Sequence, residues 1–100
     1  MFTPMTVRPE IKNLAEVQEA LLSQYPEALR QARISGIVEV WFFISEEGRV
    51  ADTRIFTSSG FDEFDEAAIR VANVFEFTPA LNQDRLVPVW IRFPIEFRVQ

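Results

Sequence analysis

The most regular pattern in the chain lies near its C-terminal end, in "LVPVWIRFPIEFRVQ". Val87, Val89, Ile91, Phe93, Ile95, Phe97 and Val99 take every odd position, and the even set is Pro88, Trp90, Arg92, Pro94, Glu96, Arg98 and Gln100. Strict alternation marks a half-buried strand, so a last strand over 87–99 is predicted with its odd side chains on the core. A second alternation runs through "GIVEVWFFISEEGRV", where Val38, Val40, Phe42 and Ile44 share one face. Gly48 suits the left-handed residue that closes a hairpin loop of about three to five residues. The return strand covers about Val50 to Ser58. Val50 and Ile55 there are an odd number apart, and a bulge near the turn reconciles them.

Helical spacing appears in "SSGFDEFDEAAIRVANVF", where Phe64, Ala67, Ala68, Val71, Ala72 and Phe75 form one stripe. Asp62, Glu63, Asp65 and Glu66 crowd its first turn, where the helix dipole favours negative charge. Leu14, Val17 and Leu21 predict a shorter helix over Leu14–Leu22, with Asn13 as N-cap and Glu16 as its capping-box partner. It stops by Gln24 or Tyr25, because the residue before Pro26 is pushed out of the α region. Pro26 opens a second short helix, "PEALRQAR", with Ala28, Leu29 and Ala32 turned inward. Met1–Asn13 holds two prolines and no helical period, so it reads as an extended N-terminal arm, with 14–100 as a single domain. "FTPALNQDR" reads as loop.

The element order is helix, helix, strand, strand, helix, strand. This is an α+β domain with a three-stranded antiparallel sheet and helices packed on one face. A right-handed crossover that leaves the last strand parallel to the second must skip one place, which gives the order 2-1-3 and puts the last strand at a border. A border accounts for the prolines. Pro88 and Pro94 share parity, so both missing donors lie on the side away from the first strand, where a sheet tolerates proline. Two readings of that side stay open. The prolines blunt an edge against aggregation, or they bound a short docking site in which Trp90 and Arg92 keep their N–H groups for an added strand. Trp41, Phe43 and Trp90 face away from the helices, a surface for the arm, a second copy or a partner to cover. The arm is the simplest cover and is expected on the sheet or its edge.

Composition narrows the chemistry. The chain is 48% apolar and 25% charged with ten Phe, the balance of a globular domain. A net charge of −5, with the basic residues scattered, argues against nucleic acid as a partner. No Cys and no His occur, which removes thiol nucleophiles, thiolate zinc sites and imidazole bases together. Carboxylates are the remaining catalytic raw material. Asp62, Glu63, Asp65 and Glu66 are explained by the helix start, Glu46 and Glu47 by a solvated turn, and Ser58 and Ser59 by capping. No phosphate loop or metal-ligand cluster is present, so no enzyme, cofactor or metal is expected. No apolar run approaches the roughly 20 residues of a membrane span.

From Tyr25 to Val99 the chain resembles the C-terminal domain of TonB, the energy transducer of the Gram-negative envelope. The matching pieces fall in order: "YP" at Tyr25–Pro26, "GIV" at Gly36–Val38, "EEGRV" at Glu46–Val50, "SSG" at Ser58–Gly60, "DEAA" at Asp65–Ala68, "FTPA" at Phe77–Ala80, "PVW" at Pro88–Trp90 and "PIEF" at Pro94–Phe97. The resemblance implies a TonB C-terminal-like α+β fold in the periplasm, anchored to the inner membrane by an N-terminal segment not in this chain. It implies a partner, the Ton-box peptide of outer-membrane TonB-dependent transporters, paired with the last strand to drive import. Coupling to ExbB and ExbD would run through parts of the protein that this chain lacks. The implied partner-binding residues are Pro88, Trp90, Arg92, Pro94 and Glu96, with Leu22, Ser23, Gln24 and Tyr25 nearby. The alternative is a TonB-like structural or self-association module of another envelope protein, linked to a sensor or a peptidase. A monomer and a strand-exchanged dimer are both compatible with the resemblance.

Overall fold

A computed structural model describes residues 4–99; Met1–Thr3 of the predicted arm and Gln100 of the last strand's even set lie outside the described residues. Alternation in the two best-patterned segments builds the sheet. Strand β1 (Gly36–Ile44) buries Val38, Val40, Phe42 and Ile44 and turns Trp41 and Phe43 to the other face. The chain reverses at Gly48, whose φ of 87° is the left-handed value predicted for it, and returns as β2 (Val50–Thr57). The pairing of β1 with β2 shifts register twice. One shift lies between Phe43 and Ile44, the bulge expected near the turn, and the second lies between Glu39 and Val40.

Helix α1 spans Leu14–Ser23, α2 spans Glu27–Gln31 and α3 spans Asp62–Ala72. The predicted stripe of α3 is buried at Phe64, Ala67, Ala68, Val71 and Ala72, and its small residues let the helix lie close on the sheet. Later in the chain, β5 (Val89–Phe97) pairs antiparallel with β1 without a break, from Ile44↔Val89 to Gly36↔Phe97. The sheet order is β2-β1-β5, so the last strand is a border strand as predicted. Aromatic rings fill the core in two groups. Phe42 meets Phe75 at 5.1 Å and Phe77 at 5.6 Å, while Phe64 stacks on Phe97 at 5.2 Å.

Four local expectations are corrected. "FTPALNQDR" is a hairpin and not a loop: β3 (Ala80–Asn82) pairs with β4 (Arg85–Val87) across Gln83 and Asp84, at φ 52° and 66°. Two consecutive left-handed residues make the tight turn that matches strand twist, and neither is the glycine that would have signalled it. Pro88 then separates β4 from β5, so the long strand begins at Val89 and not Val87. Only Leu29 of α2 is buried; Ala28 and Ala32 are exposed, because a helix of five residues presents too short a face to bury three. Asn13 does not cap α1 with its side chain. Its Nδ2 instead donates to the Val74 carbonyl at 2.8 Å, and its Oδ1 accepts from the Glu76 N–H at 2.9 Å.

That clamp belongs to a longer seam. The described part of the arm runs along residues 76–81, and not on the three-stranded sheet or its edge, where it was expected. Thr6 N–H donates to the Leu81 carbonyl at 2.7 Å, Thr78 N–H to the Glu10 carbonyl at 2.8 Å, and Lys12 N–H to the Glu76 carbonyl at 2.7 Å. The extended segment after α3 carries unpaired backbone groups on one side, and an arm with no helical period is well suited to satisfy them.

Candidate functional site

The border side of β5 is set by where its prolines fall. Pro94 lies directly opposite Glu39. A proline cannot donate, so this is a pair without ladder hydrogen bonds, and Ile37↔Glu96, Trp41↔Arg92 and Phe43↔Trp90 share its parity. At those positions the backbone of β5 turns away from β1. The outer side of the strand therefore presents the N–H groups of Arg92 and Glu96 and the carbonyl of Pro94. No described strand lies along it.

Side chains of the even positions lie on the helix-free face and are not loose. The Trp90 ring sits 5.1 Å from Phe43 and 6.5 Å from Trp41, with the Arg54 guanidinium 5.4 Å from its centroid. Arg92 lies 4.4 Å over Phe56 and 5.8 Å from Trp41. Asp52 holds Arg54 at 3.3 Å. Each arginine reaches across β1, Arg54 from β2 toward β5 and Arg92 from β5 toward β2, so cation–π contacts brace the border strand to the opposite edge. Arg54 and Phe56 were not anticipated from sequence. Two bulges scramble the parity of β2, and parity was the signal that would have placed them on this face.

The predicted site residues do not form one cluster. Leu22, 63% exposed, lines a groove of about 380 Å³ together with Gln18, Leu21, Tyr25, Glu96, Phe97 and Arg98. Leu22 and Tyr25 thus meet Glu96 at one end of β5, while Trp90 stands six residues away, roughly 20 Å at strand rise. Tyr25 is scaffold. It is buried, its hydroxyl donates to the Ile34 carbonyl, and its ring meets Phe64 and Phe97 edge-on at 5.6 Å each. Gln24 faces α3, where its Oε1 accepts from Arg70 Nε at 2.7 Å. The Ser23 hydroxyl donates back to the Ala20 carbonyl at 3.3 Å. Glu96 pairs with Arg98 at 3.0 Å, and Pro88 is exposed between β4 and β5.

The serines ahead of α3 do not cap its first N–H groups, and residue Phe61 at the cap position makes no side-chain bond. Both serines bind the Asp65 carboxylate instead. Ser58 Oγ donates to it, as do the Ser59 N–H at 2.9 Å and the Ser59 hydroxyl at 2.8 Å. Partial burial pushes the Asp65 pKa up, but these three donors outweigh it and hold the group below its usual range. The arrangement fixes the turn into α3.

A braced border strand with a helix-end groove beside it defines a small sheet-edge domain, and comparison with known proteins gives the family. The family model described as Gram-negative bacterial TonB protein C-terminal matches residues 22–99. The chain belongs to that family. Protein TonB of Pasteurella multocida (strain Pm70) is 30% identical over 76 residues, which are 76% of this chain and 29% of that protein. The chain thus spans less than a third of that relative's length. Two solution structures of the Helicobacter pylori TonB C-terminal domain are similar at 26% identity, with TM-scores of 0.56 and 0.55. They cover 87% and 86% of this chain, and the match covers 80% and 92% of theirs.

Proposed function

We propose that this domain is the periplasmic, partner-gripping end of a TonB-type energy transducer, which binds the Ton-box peptide of an outer-membrane transporter by adding it as a strand to β5. The observation that carries the proposal is the parity of Pro94. It leaves the ladder to β1 intact while turning the donors of Arg92 and Glu96 outward. Backbone hydrogen bonds would supply the affinity and the exposed even side chains the selectivity. Pro88 and Pro94 withhold donors and so limit the docked segment to a short stretch. The Leu22 groove continues the same edge and offers apolar surface to whatever follows.

Work reaching the docked peptide must pass through β5, and this strand is suited to carry load. It pairs with β1 along its full length and is braced across the outer face by Arg54 and Arg92. Anchoring in the inner membrane and coupling to ExbB and ExbD would come from segments outside this chain. A titration of the labelled domain with a Ton-box peptide, followed by amide shifts, tests the proposal. Changes are expected at Arg92, Glu96 and Trp90, then in Leu22–Tyr25. Shifts confined to the hairpin tip, Ser45–Arg49, would refute it.

A further inference from the structure

In its seam the arm fills a strand position. β3 has β4 on one side and the arm on the other, so that Leu81 lies opposite Leu86 in β4 and opposite Val7 in the arm. The Thr6 and Val7 N–H groups donate to the Leu81 carbonyl at 2.7 and 3.1 Å, and the Leu81 N–H donates to the Val7 carbonyl at 3.1 Å. The Gln83 N–H donates to the Thr6 hydroxyl at 3.0 Å.

The seam falls into two halves. Val7↔Leu81 and Ile11↔Phe77 share one antiparallel register, which puts Pro9 opposite Pro79. Neither proline can donate, so the row between the halves has no backbone donor. Behind that row the arm is well held. Pro9 is buried, Thr78 N–H donates to the Glu10 carbonyl, Glu10 N–H donates to Thr78 Oγ1 at 2.8 Å, and Asn13 clamps the end. Ahead of it Thr6, Val7 and Arg8 are exposed and Met5 is half-buried. Backbone bonds that water can replace, with little apolar burial behind them, put residues 4–8 at the low end of local stability.

Opening the front half turns β3 into an edge. The Leu81 N–H and carbonyl and the Gln83 N–H then lose their partners. Leu86 is 53% exposed beside the half-buried Leu81, an aliphatic row that Val7 completes from the arm. The family match, over residues 22–99, takes in this edge and leaves out the arm that covers it. We propose that Leu81–Gln83 is a second strand-accepting edge, covered in cis by residues 4–8 and open to an extended peptide with a hydroxyl residue followed by an aliphatic one. The hydroxyl accepts the Gln83 N–H, the aliphatic side chain extends the Leu81–Leu86 row, and the peptide backbone engages both Leu81 groups. This edge belongs to the β3–β4 pair and not to the sheet that contains β5, so it stands apart from docking on β5.

Hydrogen exchange on the full chain is the first test. The Leu81 and Gln83 amides should exchange at least about tenfold faster than the Thr78 amide, and faster still than Phe42 in the core. Exchange of all of them at the Phe42 rate would show that the arm opens only with the whole fold, and would overturn the proposal whether or not any variant folds. Docking is read on full-length Thr6→Pro, which deletes the Thr6 N–H and hydroxyl and frees the edge without touching the core. A capped peptide of residues 4–12, PMTVRPEIK, should shift the Leu81 and Gln83 amides of this variant and slow their exchange. The parent should need at least about tenfold more peptide, because its tethered arm competes. The same peptide carrying Thr6→Ala and Val7→Asp should leave both amides unmoved. No shift at Leu81 and Gln83, or an equal response to the two peptides, overturns the assignment. A response confined to the Arg92 and Glu96 amides puts the peptide on β5 and overturns it as well.

Discussion

Gly48 is the residue on which the two ends of the fold meet. A Cβ built there would lie 2.0 Å from the Phe77 carbonyl oxygen and 3.4 Å from the Pro79 nitrogen, with φ already at +87°. The Phe77 N–H donates to the Gly48 carbonyl at 3.0 Å, and the Phe77 ring is buried against Phe42. Gly48→Ala must therefore push a core-bearing backbone aside as well as strain its own. The left-handed alanine costs about 1 kcal/mol. Displacing packed backbone adds roughly 2 kcal/mol. The sum, about 3 kcal/mol, is a large share of the stability of a domain this size, and should lower Tm by roughly 15 °C. Gly60 supplies the control, because its φ is +90° but nothing lies within 4 Å of its Cβ position. Gly60→Ala should lose only the strain, about 1 kcal/mol. Urea unfolding followed by tryptophan fluorescence measures both variants. Equal losses would refute the reasoning, since they would show that the hairpin tip yields and that Phe77 is not pinned to it.

Pro94→Ala restores an outward donor without touching the β1 ladder, so the fold should change in stability by less than about 1 kcal/mol while self-association at high concentration increases. A loss above about 2 kcal/mol in denaturant melts would mean that the Pro94 side faces β1. Asn13→Ala removes both bonds of the arm clamp and should cost about 1–2 kcal/mol, with faster hydrogen exchange at Glu76. For Asp65 the folded pKa is depressed, so its contribution is present above the usual carboxylate pKa and lost as pH falls through the folded value. Asp65→Asn should remove that part of the acid sensitivity: stability curves of parent and variant converge below about pH 4 and separate above it, and a constant gap across this range would count against the Ser58–Ser59 contacts as its source.

Legibility followed the strength of local pattern. The β5 alternation and its same-parity prolines predicted a border strand with its donor-poor side outward, and β1, the α3 stripe and the Gly48 turn were equally plain. Local pattern failed where one residue had two possible partners. Asn13 is a sound N-cap by composition, yet its amide found Val74 and Glu76, sixty residues on. Ser58 and Ser59 look like caps and instead hold Asp65. The turn at Gln83–Asp84 adopts positive φ without glycine, so nothing announced the hairpin.

What the chain determined by itself is which side of each strand and helix is apolar, because the periods of two and 3.6 are geometric consequences of the backbone and need no neighbour to define them. The border position of β5 follows from the same source, since proline removes a donor wherever it stands. Tertiary structure alone decided which distant groups meet: the arm on residues 76–81, and Arg54 and Arg92 crossing β1. Those contacts join residues far apart in sequence, and their energies are set by distance and desolvation in the folded state, quantities that no spacing along the chain encodes.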